Sequence, residues 1–469
     1  MKRRLKLWLG GLALVLALVV LVAPAGLGFM AEGRYTHLLE RLDTDQPGIE
    51  IEITEYERGW FNSRSELALE IVEPTLAELL VEGGWARGTE EGARIDLSER
   101  IHHGPVPFTA PAPLSQRWRP GFAVLESRLE QSMPVVAELG LDISNTAHLG
   151  MLGGFHGVFR VAPFDLEEDG LEVASADEIR LDYRFNRNLD RMDITGQTGE
   201  LQVLSSEGEG IIFDSLWLGM NQRRGPADLW LGGTELRIPG IETRTPGQEP
   251  MHFGRMLLTS DLEHGEGDLL DQKQEFELEY LRQGDWEAGP AVLETTVFNL
   301  DAEAFAKLQE IATRMDPDEL GLALVGGAMP AEMEGPLVAL ARERLGFRID
   351  RLNIRMPEGT FDAEGELRVA DEDDDAIEAM IGERDWLGLV VGGGRVSAGE
   401  RLVQRAAATM MMGQDPNVEL EDDMVQLINS QLDAAVEEGM LNRTEDGYEV
   451  RAVYEDRTLY INDNPVARW

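Results

Sequence analysis

The stretch Gly48-Ile-Glu-Ile-Glu-Ile-Thr-Glu-Tyr-Glu-Arg-Gly59 decides the fold class. Ile49, Ile51 and Ile53 alternate with Glu50, Glu52 and Thr54, which puts the isoleucines on one side of a strand and leaves the other side wet. After the turn Gly59-Trp60-Phe61-Asn62-Ser63, the pattern returns at Leu67, Leu69 and Ile71, so 48–71 reads as an antiparallel hairpin. The same alternation recurs at 122–129, 179–185, 194–203, 211–217, 276–280 and 292–297, separated by Gly, Asn or Asp turns. Between 140 and 300 no helical periodicity is sustained, and no repeat of fixed period points to a solenoid.

Helical signals gather at the C-terminal end. Asp301 precedes a segment in which Phe305, Leu308, Ala312 and Met315 share one face. Further helices are predicted over 331–345 (with Pro336 inside), 400–412 and 421–441, besides a short one over 31–42. Hairpins are expected from Phe347, Ile349, Ile354 and Met356 against Phe361, Leu367 and Val369, and over 448–464. The fold class is therefore α+β: an N-terminal transmembrane helix, then a long, curved antiparallel meander, with several helices concentrated in the C-terminal third. Three regions follow: a basic tip and anchor over 1–30, a β-rich body over 31–300, and an α+β part of the same body over 301–469.

The 469 residues are ample for a sizeable core, and 43% hydrophobic residues is too many for a mainly disordered chain. With no cysteine, disulfides, thiolate metal sites, thiol nucleophiles and iron–sulfur clusters are excluded. Eighty-seven Asp+Glu against 42 Lys+Arg leave a net charge of −45, which argues against nucleic acid as a partner. Lysine occurs only at Lys2, Lys6, Lys273 and Lys307, so 38 of the 42 basic residues are arginine. That balance suits high external salt, where screening relieves self-repulsion; a high-GC genome explains the arginines but not the acid excess.

Lys2, Arg3, Arg4 and Lys6 precede a charge-free stretch from Leu7 to Met30, long enough to cross a hydrocarbon core. The expectation is a single-pass anchor in the bilayer over 7–30, N-terminus cytoplasmic and body periplasmic, at the cell inner membrane. The rival is a cleaved signal peptide with Ala23-Pro24-Ala25 as its site, although apolar character continues through Leu27, Phe29 and Met30.

Several signatures resemble the YdgA/YihF-like bacterial proteins, a family of unknown function. Tyr56-Glu57-Arg58-Gly59-Trp60-Phe61-Asn62-Ser63 is similar to that family's Y-x-R-G-x-F-x-S turn, which carries over Tyr56, Arg58, Gly59, Phe61 and Ser63. His103-Gly104-Pro105-Val106-Pro107-Phe108 is similar to its HGPFP segment, which carries over His103, Gly104, Pro105 and Pro107. Tyr454 to Asn462 resembles its last hairpin, with Asp463 where a glycine is usual. The resemblance implies an inner-membrane-anchored periplasmic protein and no catalytic residue. Long β-rich bodies on one anchor are also broadly similar to AsmA-like envelope proteins, which are linked to lipid handling.

No motif names a reaction. His102-His103 on an extended segment point to opposite faces and rarely share one ion, so a rigid turn is the plainer reading. The Arg58-Gly59-Trp60-Phe61 turn reads as a sheet end with Arg58 paired to a Glu, the alternative being a docking knob. Counting from Asp371, the run Asp371-Glu372-Asp373-Asp374-Asp375 lacks the Gly at position six and the Glu at position twelve of a calcium loop, and Asp43-x-Asp45 fails in the same way. Gly392-Gly393-Gly394 lacks any phosphate-loop partner, so it reads as a turn or a close backbone approach. Ser397 is not in a G-x-S-x-G elbow. Met410-Met411-Met412 and Met424 read as core or as an adaptable apolar surface. The expectation is a non-enzyme with no cofactor and no metal.

Two readings stay open. One is a non-catalytic envelope protein whose curved sheet offers an apolar concave face to an acyl chain, another hydrophobic ligand or a partner segment, with apolar residues on both faces of some strands. The other is a structural module docking envelope proteins, with one apolar face per strand. An unrecognised hydrolase is third, and its mark would be a polar pocket with carboxylates of raised pKa.

Overall fold

The computed structural model describes residues from Glu32 to Trp469, interrupted chiefly at 41–47, 104–120, 129–139, 316–329 and 413–421 and at shorter breaks. The expected span 7–30 lies outside the described residues; among those described, no helix is long and apolar enough to cross a membrane. The chain divides into two compact units. The first comprises Met1–Leu166, Ser175–Gly199 and Glu310–Gly327, and the second Glu167–Ala174, Glu200–Gln309 and Ala328–Trp469.

The first unit is an antiparallel ladder of β1 (Ile49–Arg58), β2 (Asn62–Ile71), β3 (Ala93–His103), β4 (Gly121–Arg128), β5 (Ile143–Gly150), β6 (Phe155–Val161), β7 (Ile179–Phe185) and β8 (Arg191–Thr198), each paired with the next. The β1–β2 hairpin is as predicted, with Ile51 opposite Leu69 and Ile53 opposite Leu67. The predicted strand 194–203 is instead two, Arg191–Thr198 and Leu201–Ser205, because the chain turns at Gly199-Glu200. Helix α1 (Pro74–Glu82), which the sequence pattern did not announce, follows β2, while the other long helices fall in the last third as expected. Proline in its first turn fixes the starting φ, and Ala77 and Leu80 pack on Ile71, Ile95 and Ile143. A second buried cluster joins Leu67, Ile101, Leu125 and Leu149 to Tyr35 and Leu39, which lie in a helical stretch seen at Glu32–Gly33, Tyr35–His37 and Leu39.

In the second unit an antiparallel ladder runs β9 (Leu216–Arg224), β10 (Trp230–Ile238), β11 (Met256–His264), β12 (Leu270–Leu278), β13 (Ala291–Leu300), β14 (Gly346–Met356), β15 (Gly359–Val369), β16 (Val390–Gly399) and β17 (Gly447–Glu455). Strands β18 (Thr458–Ile461) and β19 (Asn464–Arg468) continue it, so the predicted last hairpin gains a third strand. The predicted strand 211–217 is broken at Asp214-Ser215: Gly210–Phe213 belongs to a smaller sheet that also holds Ile241–Arg244, Met251–Phe253 and Leu281–Gln283.

Among the described residues, the longer helices of this unit are α2 (Ala302–Ala312), α3 (Ala331–Arg342), α4 (Asp374–Glu383), α5 (Glu400–Met412) and α6 (Asp422–Glu437), and a single helical turn, Trp386–Leu389, precedes β16. Asp301 caps α2 as expected, accepting from the Ala304 N–H at 2.8 Å. Helix α2 buries Ala302 and Ala304 with Leu231, Leu270, Leu300 and Leu340, while α5 and α6 meet through Ala408, Ile428 and Leu432 against Tyr448.

Candidate functional site

The motif turn in the first unit is architectural. Gly59 N–H donates to the Asn62 carbonyl at 2.9 Å, and a Cβ on Gly59 would lie 2.4 Å from that same oxygen. Arg58 pairs with Glu32 at 3.0 Å, as the plainer reading expects, and so ties the turn to the N-terminal helical stretch. Tyr56 packs in the second cluster with its ring 6.3 Å from that of Tyr35, and Ser63 is buried directly opposite Arg58. Trp60 stays exposed. Phe61, Gly104, Pro105 and Pro107 lie outside the described residues.

A polar row that no motif announced crosses this sheet. Register places Tyr56, Ser65, Glu99, Ser127 and Asn145 side by side on five neighbouring strands, hence on one face. It is the face of Leu67, Ile101 and Leu125, the buried one. Glu99 is buried and accepts hydrogen bonds from Tyr35 Oη at 2.5 Å and Ser127 Oγ at 2.6 Å. Burial drives its carboxyl above the ordinary range, against the pull of the two donors. Burial, and then the adjacent Glu99, raise the Tyr35 phenol as well. Tyr183 donates to Asn145 Oδ1 at 2.8 Å and burial pushes it up to about 12; it lies over Gly157, where a Cβ would come 2.3 Å from its hydroxyl. The signal was legible: within Ala93–His103, alternate positions read Ala93, Ile95, Leu97, Glu99, Ile101, with an acid on the apolar side.

His102 and His103 fall at the end of β3, both buried and on opposite faces of the strand. His102 Nε2 is 3.5 Å from Glu126 Oε2, and burial holds its imidazole below the usual value. His148 stacks on His156 at 5.1 Å. No group of three or more His, Asp or Glu among the described residues could hold a metal ion. His156, Asp182, Arg184, Asp193 and Thr195 line an open depression of about 370 Å³ on the side of the sheet away from Glu99. There the hydrogen-bonded Arg180 guanidinium lowers the Asp182 carboxyl, the opposite of what a general acid needs.

In the second unit the register builds a different feature. Leu218, Leu236, Leu258, Phe276, Leu293, Leu352, Ala363, Val396 and Val450 are successive cross-strand partners from β9 to β17. Nine apolar side chains therefore share one row on one face, about 40 Å long at roughly 4.8 Å per strand. None of the nine is buried; Leu258 is 38% and Val396 40% exposed. On the same face, Phe347 and Leu367 are also paired and exposed, at 43% and 47%. The first unit's inner face differs sharply, with Ile101, Leu125 and Ala147 at 1%, 7% and 7%. The opposite face of the second sheet is charged, with ion pairs such as Arg351–Glu294 at 3.6 Å and Arg395–Glu449 at 3.6 Å.

The remaining predicted features are structural. Asp373 accepts from the Ala376 N–H at 2.8 Å and so caps α4, while Asp371 is held low by Arg344 and Arg368. Gly392–Gly394 form no turn before a helix: they lie inside β16, where a Cβ on Gly392 would meet the Glu366 carbonyl at 2.4 Å. Ser397 is mid-strand opposite Asp362. Met410–Met412 end α5, and Met424 packs beside Ile428.

A family model described as a bacterial protein of unknown function (DUF945) matches residues 1–468. No curated protein and no solved structure matches the chain.

Proposed function

The chain belongs to the bacterial DUF945 family of unknown function, and from that premise we propose a non-catalytic, inner-membrane-anchored periplasmic protein whose second unit holds membrane lipid by its acyl chains. One observation carries the reading: a row of nine apolar side chains spans nine strands with no member buried. Soluble surfaces rarely leave so long an apolar strip in contact with water, and such strips mark binding faces. The shape of the strip favours a long flexible chain over a compact ligand. The apolar stretch 7–30, read as the anchor, would keep the body beside a bilayer, so acyl lipid is the hydrophobic molecule at hand. The acidic balance, −45 over 469 residues, fits an exported body adapted to external salt.

The alternative of a protein-interaction module has the one-apolar-face pattern on its side in both units, because β2 buries one face and wets the other and the second sheet carries its apolar row on one face and ion pairs on the opposite one. Native mass spectrometry of the full chain, followed by organic extraction, separates the two. A stoichiometric acyl lipid is the expected result. An apo mass from membranes solubilised without loss of fold would overturn the lipid reading and turn attention to crosslinked envelope partners.

A further inference from the structure

The N-terminal helical stretch meets the sheet of the first unit at a buried acid. Tyr35 reaches Glu99 across 64 residues of sequence, at 2.5 Å, and Ser127 closes the other carboxyl oxygen at 2.6 Å. The described groups that face Glu99 are Tyr35 from the helical stretch, Tyr56 from β1, Ser65 from β2, Ser127 from β4, Asn145 from β5 and Tyr183 from β7. None of them is a cation. The Arg58–Glu32 pair sits at the turn and is more than a third exposed. His103, the other titratable group on this face of β3, is four residues along, about 13 Å away at roughly 3.3 Å per residue. A carboxylate in such a place has neutral donors but no counter-charge, so its ionised form is penalised by lost hydration.

We propose that Tyr35–Glu99–Ser127 is a proton-dependent latch, in which neutral Glu99 holds the helical stretch that carries Tyr35 on the sheet and ionised Glu99 releases it. The protonated acid keeps all three groups bonded: one carboxyl oxygen accepts while the acid O–H donates to the facing hydroxyl oxygen. Loss of that proton leaves a charge in the cluster of Tyr35, Leu67, Ile101 and Leu125, and water must enter between helix and sheet to solvate it. The three tyrosines facing the acid all have raised pKa values, so they keep their protons while Glu99 titrates. The latch is independent of lipid binding in the second unit and of whether 7–30 spans a bilayer.

Hydrogen–deuterium exchange of the full chain tests it, reading the peptide that covers 32–39 from pH 4 to pH 10 after correction for intrinsic exchange. In the wild type, protection should fall by up to about tenfold per pH unit from the ordinary carboxylate range upward, and level off once Glu99 ionises in the latched state. In Glu99→Gln, which keeps the shape but cannot ionise, protection should stay flat while peptides from β9 to β13 are unchanged. A wild-type peptide equally protected at pH 4 and pH 10 overturns the latch, as does Glu99→Gln with the wild-type pH dependence, which would assign the titration to another group. Should Glu99→Gln not fold, infrared spectroscopy of the wild type decides. A slowly exchanging carboxylic-acid carbonyl band that persists above the ordinary carboxylate range is expected, and its absence overturns the proposal.

Discussion

Glu99 and Gly157 show how single positions set the interior of the first unit. The folded pKa of Glu99 lies above its unfolded value, so the folded state binds the extra proton. Its contribution is then fully present below the ordinary carboxylate range and is lost as pH rises through the folded pKa. Urea denaturation should therefore show wild type losing stability relative to Glu99→Gln as pH rises above the ordinary carboxylate range, and the two converging at the acid end. A difference that widens toward acid would give Glu99 a lowered pKa and contradict its burial. Gly157 is needed for a different reason, because the Tyr183 ring occupies the space its Cβ would take. Gly157→Ala should displace Tyr183 from Asn145, costing about 1–3 kcal/mol by loss of a buried hydrogen bond and by overpacking. Thermal unfolding checks the cost, and a midpoint within a degree of wild type would show that the ring moves aside freely.

At the scale of elements, the β1–β2 hairpin separates what a turn needs from what decorates it. Arg58 and Glu32 are a pair more than a third exposed, and such pairs contribute about 0–1 kcal/mol. Gly59 faces main-chain oxygen at 2.4 Å, where no rotamer change gives relief. Gly59→Ala should thus destabilise the first unit by roughly 1–3 kcal/mol and Arg58→Ala by less than about 1 kcal/mol. Chemical denaturation of the two variants checks this order; the reverse order would make the salt bridge, not the turn, the part that matters. This hairpin was readable in the sequence because each strand has one wet and one buried face, which makes period-two alternation visible. Helix α1 was not, since nine residues beginning at Pro74 give too few turns for a helical period to emerge. Strands such as Met256–His264 were missed for the opposite cause: both faces are half-exposed, so no contrast marks them.

At the scale of the whole molecule, what matters is set by register, which sequence does not carry. Leu293 meets Leu352, and Leu352 meets Ala363, only because the pairing slips between Glu294 and Thr295 and again between Ile349 and Leu352. Without those irregularities part of the apolar row would turn to the charged side. Leu258→Asp with Val396→Asp should remove bound lipid while changing stability by only about 0.5 kcal/mol, since both positions are already exposed. Lipid retained by the double variant, measured by native mass, would place the ligand elsewhere. The charged side makes the complementary prediction. Glu275 stands directly opposite Glu294, and partial burial, then Glu277 and Glu294, raise its pKa. Like charges facing across a ladder destabilise it, and a net −45 adds a diffuse repulsion of the same sign. Screening reaches about 30 Å at 0.01 M salt but only about 3 Å at 1 M, so salt should relieve both. The melting midpoint should rise steeply from tens of millimolar to molar salt, and Glu275→Gln should raise it at low salt but not at high. A midpoint indifferent to salt in both proteins would mean that the acid excess is already neutralised by its arginine pairs, and that adaptation to external salt is not what selected it.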